Sequence, residues 1–202
     1  MTQTHRRPAR IRLAGLLLVI AAVAALGQEW PASSSSTAAS PIDVLRGERP
    51  SARGEAGGAV PERTTVFDDE IPGVAKLDGD LRSALRRAAT DAAGGGVQLY
   101  VDSGWRSPAY QERLLREAIS KYGSEEAATR WVATPETSGH VKGDAIDIAP
   151  AGAAWLSAHG AAYGLCQIYS NEPWHYELRP EAAGHGCPAM YADPRQDPRM
   201  QR

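Results

Sequence analysis

The apolar positions of the chain fall into two regimes. Leu81, Ala84, Leu85, Ala88 and Ala92 recur at helical spacing, which puts them on one face of a helix. Asp78 or Asp80 is a candidate cap for its start, and Gly94, Gly95 and Gly96 stop it. Residues 97–101 then alternate as a strand and lead into Ser103, Gly104, Trp105 and Arg106. Ser107 and Pro108 open a second helix whose inner face holds Leu114, Leu115, Ala118 and Ile119, with Gly123 as its stop. Ser124, followed by Glu125 and Glu126, predicts another helix running to about Val132. Beyond Pro135 the pattern changes to short strands at 145–148, 167–169 and 174–178, with a helix at 153–162 between the first two. Helices first and short strands later predict an α+β domain, a small antiparallel sheet flanked by helices.

The N-terminal region follows neither regime. Arg6, Arg7, Arg10 and Arg12 precede an apolar run from Leu13 to Leu26, with small residues Ala25 and Gly27 at its end. That order is the pattern of a secretory signal, and the run is too short for the roughly 20 residues a membrane-spanning helix needs. Cleavage after residue 27 is therefore expected, with an uncleaved anchor as the alternative. Residues 28–66 are rich in Ser, Ala, Gly, Pro, Glu and Arg and read as a disordered, flexible tether, since such a stretch buries too little apolar surface to offset the entropy of ordering it. The predicted domain then occupies 67–193, and 194–202 is a Pro/Arg/Gln tail.

Composition narrows the function classes. The 202 residues are 43% hydrophobic and 23% charged, the profile of a globular protein rather than a disordered chain or a polytopic membrane protein. A net charge of −2, more negative once the signal's four arginines are removed, gives no basic surface for nucleic acid. The membrane is an expected partner only through the N-terminal segment if uncleaved, and a monomer is expected.

Chemistry-bearing residues concentrate in three segments. In the first, His140 and Asp147 are joined through Gly143, whose freedom allows a turn that returns the carboxylate on a strand beside the imidazole. Both groups are common zinc ligands. In the second, Glu172 precedes His175 by three residues at the start of a predicted strand. His175 would complete a set of two imidazoles and one carboxylate, leaving Glu172 to move protons as a general base. Taken alone, His175 reads equally well as a packed strand residue and Glu172 as a solvated carboxylate. In the third, Arg106 stands at a strand–helix joint from which a guanidinium can point into a cleft and stabilise an oxyanion or pair with a carboxylate.

Together the segments Ser103 to Gln111, Ser138 to Asp147 and Glu172 to His175 resemble the D-Ala-D-Ala metallopeptidases, the zinc family of VanY-type carboxypeptidases and VanX-type dipeptidases. Their pattern is an SGxRS-like stretch followed by a Gln, then S-x-H-x-x-G-x-A-x-D, then E-P-W-H, and it covers roughly residues 77–178. The resemblance implies an α+β fold with zinc in a cleft, His140, Asp147 and His175 as metal ligands, and Glu172 as the base that activates a zinc-held water. It also implies Arg106 as the stabilising cation, with Ser138 and Gln111 as further substrate contacts. The implied substrate is the stem peptide of peptidoglycan, cut to release a C-terminal D-Ala. Export favours this D,D-carboxypeptidase reading over the dipeptidase. An L,D-carboxypeptidase or a peptidoglycan endopeptidase with the same zinc site is the alternative, and an inactive wall-binding module is the reading from a different class.

Cys166 and Cys187 are the only cysteines. An even count in a chain expected to be secreted or in the cell envelope predicts a disulfide, which would stabilise the fold by about 3 kcal/mol through loop closure. Two free thiols or soft zinc ligands are the alternatives, the latter disfavoured because a complete ligand set exists without them. Nothing around Cys166 suggests a Cys–His nucleophile.

Overall fold

The computed structural model describes residues 54–201. The expected export segment at 1–27 and the greater part of the expected tether, to residue 53, lie outside the described residues. Among the described residues no helix is long and apolar enough to cross a membrane. The elements in chain order are α1 (Pro72–Ala75), α2 (Gly79–Gly94), β1 (Val101–Ser103), α3 (Pro108–Tyr122), α4 (Glu125–Ala128), α5 (Gly139–Lys142), β2 (Ala145–Ile148), α6 (Pro150–His159), β3 (Leu165–Gln167), β4 (His175–Leu178) and α7 (Ala182–His185). Single 3₁₀ turns lie at Gly160–Tyr163, Pro194–Gln196 and Pro198–Met200.

The two long helices start and stop where side-chain chemistry directs. Asp78 caps α2 by accepting from the amides of Asp80 and Leu81, and Gly95 closes it. Ser107 caps α3 by accepting from the Tyr110 amide, Pro108 occupies its first turn, and Gly123 ends it in the left-handed conformation at φ 84°.

Four strands form one antiparallel sheet in the order β1-β2-β4-β3. Because strand side chains alternate, the sheet has two chemically distinct faces. Ile146 and Ile148 of β2 and Tyr176 of β4 join Leu81, Leu85 and Ala88 of α2 in the main apolar core. The intervening residues turn the other way, and the register sets Asp147 directly across from His175 and Ala145 across from Glu177. One face of the sheet thus holds the core and the other gathers the polar groups.

The α+β expectation agrees with this architecture, while several boundaries move. The first strand is Val101–Ser103 rather than 97–101, because Tyr100 makes only an isolated bridge to Thr65 before β1 pairs with β2. The third is Leu165–Gln167 rather than 167–169. The helix expected to reach Val132 stops at Ala128, and the Asn171 amide takes up the carbonyl of Arg130 instead. Two segment boundaries also shift. Residues 54–66, assigned by composition to the tether, include buried Thr64 and Val66, and the Val101 amide donates to the Thr64 carbonyl at 2.8 Å. Residues 194–201, expected as a tail, fold back with Pro194 buried and the Asp197 side chain fully enclosed. The composition of both stretches is polar, but each has partners in the folded domain. Cys166 and Cys187 form the expected disulfide, with Cα atoms 5.6 Å apart.

Candidate metal centre

His140 is placed by a single turn of helix. The Ser138 hydroxyl caps α5, and Gly143 ends it at φ 83°, a conformation that favours glycine. A Cβ at residue 143 would also lie 2.7 Å from the Lys76 carbonyl oxygen. The chain can therefore turn straight into β2 and bring Asp147 next to His140. His140 Nδ1 donates to the carbonyl oxygen of Gly104 at 2.8 Å, which leaves Nε2 bare and 3.3 Å from Asp147 Oδ1. That carbonyl reaches the ring because the loop at Gly104 runs against Gly73 so closely that a Cβ would come within 2.0 Å of the Gly73 oxygen.

His175 begins β4 opposite Asp147, with Nδ1 3.1 Å from Asp147 Oδ1 and Nε2 3.3 Å from Glu177 Oε1. Assigning the ring proton to Nε2, where Glu177 accepts it, turns the Nδ1 lone pair toward Asp147. One ligand atom from each of His140, Asp147 and His175 then lies within 4.8 Å of the others, and all three residues are buried. Glu172 sits at the turn before β4, its Oε2 3.8 Å from His175 Nδ1. Its Oε1 is buried and has no hydrogen-bond partner.

The electrostatics follow from burial and close packing of these groups. Burial and the nearby Arg106 guanidinium push the His140 pKa down, so its imidazole is neutral. Burial alone would raise Asp147, but His140, His175 and Arg106 outweigh it and hold the carboxyl well below the usual range. For His175 burial works against the cation, yet the hydrogen bonds to Asp147 and Glu177 raise its pKa to about 10. Burial lifts Glu172 to about 7. Asp147 is thus held ionised where the three ligand atoms converge. Two imidazole nitrogens and a carboxylate oxygen are a donor set that suits zinc, so the residues present fit that ion.

A cavity of about 260 Å³ opens over the cluster, bounded by Arg106, Ser138, Glu172, Trp174 and Trp131. Arg106 reaches this cavity, although most of its guanidinium is engaged: NH2 bonds Asp147 Oδ2 at 2.8 Å, Nε bonds Ser103 Oγ at 2.8 Å and NH1 bonds Gln111 Oε1 at 3.2 Å. Gln111 lines the cavity beside Arg106. Its amide is buried with a hydrogen bond at each end, accepting from Arg106 and donating to the Ala133 carbonyl, so it braces Arg106 from the cavity wall. Ser138 lines the cavity with its hydroxyl oxygen capping α5.

Sequence reasoning missed Glu177, which is enclosed beneath His175 and held well below the usual carboxylate range; burial opposes this, and the hydrogen bonds from His175 and Arg199 prevail. It also missed Tyr169, whose ring lies 5.1 Å from that of His175, and the tail residues Pro194 and Met200, which line the cavity. The repeated Asp-Pro-Arg at 193–195 and 197–199 was a usable signal. Asp as a cap with Pro in the first turn starts a helical turn, as both copies do.

The class that fold and site define is a small α+β domain whose sheet carries, at the floor of a cleft, a buried two-imidazole, one-carboxylate cluster that could hold a metal ion. The family is more specific than that class. The model of the VanY family, D-alanyl-D-alanine carboxypeptidase, matches residues 74–181, and the chain belongs to this family. It is 28% identical over 144 residues to a D-alanyl-D-alanine carboxypeptidase of Enterococcus faecalis (strain ATCC 700802 / V583), covering 58% of this chain and 53% of the relative, so the chain spans about half of that relative's length. Among solved structures, a Zn(II) complex of a variant of the vancomycin-resistance D,D-pentapeptidase VanY from the VanB-type cassette is 28% identical, covering 50% of this chain and 72% of the other with a TM-score of 0.47. The LdcB LD-carboxypeptidase shares the fold at 24% identity and a TM-score of 0.50, covering 63% of this chain and 71% of the other.

Proposed function

We propose that this protein is a zinc-dependent D-alanyl-D-alanine carboxypeptidase that removes the C-terminal D-Ala from peptidoglycan stem peptides outside the cell membrane. The observation that carries the reading is the pairing of the His140, Asp147 and His175 cluster with a buried Glu172 whose Oε1 is unpartnered in the same cavity. Family membership supplies the reaction class.

His140 Nε2, Asp147 and His175 Nδ1 would hold the ion. When bound there, zinc supplies Lewis-acid polarisation and the acidification of a water. The protein's own groups carry out the remaining work. Glu172, poised near neutrality, takes the proton of the attacking water on Oε1 and delivers it to the nitrogen of the leaving D-Ala. Arg106 is kept rigid by Ser103, Gln111 and Asp147, and its remaining N–H groups face the charge that develops on the peptide carbonyl oxygen. Ser138 offers its hydroxyl proton to the peptide from the cavity wall. Trp174, 40% exposed, forms the rim over which the stem peptide enters.

Residues 1–27 act as the export signal in this reading, which places the disulfide in an oxidising compartment. Incubation of the secreted protein with synthetic pentapeptide, tetrapeptide and D-Ala-D-Ala, followed by mass spectrometry, tests the activity. The expected result is release of one D-Ala from the pentapeptide, abolished by a chelator and restored by zinc. Cleavage of the tetrapeptide alone replaces the reading with an L,D-carboxypeptidase, and no chelator-sensitive hydrolysis of any of them rejects it.

A further inference from the structure

The segment that follows the family-matched span ends at the metal cluster. Residues 182–201 lie beyond the matched 74–181. The chain returns along β3 and the turn after it: the Tyr191 amide donates to the Ile168 carbonyl at 2.9 Å, and the Ser170 amide donates to the Tyr191 carbonyl at 2.9 Å. Asp193 then pairs with Arg130 at 3.1 Å. Two Asp-capped 3₁₀ turns follow, and they deliver Arg199 to the sheet face that carries His175 and Glu177.

There Arg199 grips both oxygens of Glu177, NH1 to Oε2 at 2.6 Å and NH2 to Oε1 at 3.3 Å. Oε1 is the oxygen that accepts from His175 Nε2. Arg179 also reaches Glu177, but only at Oε2, so alone it leaves the carboxylate free to pivot away from His175. The guanidinium is itself fixed by buried Asp197, which receives its Nε at 3.0 Å as well as NH2, and accepts the Tyr169 hydroxyl at 3.1 Å. An unbroken chain of charge-assisted hydrogen bonds therefore runs from Asp197 through Arg199 and Glu177 to His175, and a bidentate arginine–carboxylate pair is the geometrically strictest link such a chain can have.

We infer that Arg199 is a positioning residue of the metal centre: acting through Glu177, it holds the His175 ring with Nδ1 turned toward Asp147 and His140, which makes the C-terminal segment a working part of the site. The inference rests on the metal-site reading above. It differs from a general packing role in one respect: Arg199 touches none of the three ligand residues directly, and Glu177 is the contact through which it reaches the hydrogen bond on His175 Nε2. Groups that orient ligating imidazoles typically contribute about 10- to 100-fold to metal affinity.

The test is zinc affinity of the full chain by competition with a chromophoric chelator. Arg199→Ala should weaken zinc binding about 10- to 100-fold. Arg199→Lys, which restores the charge without the fork, should recover part of that loss. Arg195→Ala, which removes the same charge from the same segment, should match the unaltered protein. In a Glu177→Ala background, Arg199→Ala should add little, because the link it acts through is already cut. Should Arg199→Ala fail to fold by circular dichroism, Arg199→Gln carries the same expectations. Zinc affinity of the Arg199 variants equal to that of the unaltered protein, or an equal loss with and without Glu177, overturns the inference while leaving the metal site standing. If the unaltered protein itself binds no zinc, the metal-site reading fails and the inference with it.

Discussion

Replacing Glu172 with Gln should move stability and activity in opposite directions. The carboxyl is only 6% exposed, and burial lifts its pKa from 4.5 to about 7. A tenfold change in proton affinity corresponds to about 1.36 kcal/mol, so the ionised group costs the fold on the order of 3 kcal/mol. The pH window follows from the direction in which burial moves the group. Below the unfolded value of 4.5 the carboxyl is protonated in both states and there is no penalty. Between 4.5 and about 7 the unfolded chain ionises while the folded one retains its proton, so stability falls as pH rises, and above about 7 the penalty is constant. Glutamine has nearly the same shape and does not titrate, and its own burial adds only a pH-independent offset.

Urea unfolding of both proteins, with a chelator present to remove any bound cation, should therefore show a difference that grows in the variant's favour by about 3 kcal/mol between about pH 4 and pH 8. In zinc-supplemented assays the same substitution should lower kcat by about 10²- to 10⁴-fold, the usual contribution of a general base, which is roughly 3–5 kcal/mol on the barrier. A stability difference independent of pH would refute the assigned burial of charge. A kcat within tenfold of the unaltered enzyme would refute the role of base.

Two further perturbations test the scaffold. Replacing Cys166 and Cys187 together by Ser should lower unfolding free energy by about 3 kcal/mol, read as a drop in urea midpoint that reductant reproduces in the unaltered protein; an unchanged midpoint would show that the bond constrains little. Gly104→Ala would force a Cβ to within 2.0 Å of the Gly73 oxygen and push the Gly104 carbonyl off His140 Nδ1. It should therefore weaken zinc binding by about tenfold or more, in addition to lowering thermal stability, and zinc affinity equal to the unaltered protein's would show that His140 does not depend on that carbonyl.

What could be read from the sequence and what could not differ in the range of the interactions responsible. The caps of α2 and α3 are local chemistry, so Asp78, Ser107 and Gly123 are legible from their neighbours alone. The pairing of Asp147 with His175 is long-range, yet it too is legible, because alternation along two short strands puts both on the polar face once the strands are adjacent. The ends of the short elements are not, since stretches of three or four residues have no pattern of their own to fix them, and distant residues meet the chain there, Thr65 before β1 and Asn171 after α4.

The roles of Gln111 and Glu177 show the same limit at the site. Both are polar residues beside the motif, and sequence offers no way to tell which will face a ligand and which will be consumed within the protein. The structure uses the Gln111 amide at both ends and turns Glu177 inward onto His175. A buried carboxylate needs partners to avoid a desolvation cost of several kcal/mol; Arg179 supplies one, and the bidentate one arrives 22 residues later on a stretch that composition marks as a tail. Polar composition predicts a tether only where the polar groups stay in water; when the charges of a Pro-rich segment complete those of a buried strand, that segment folds because the strand requires it.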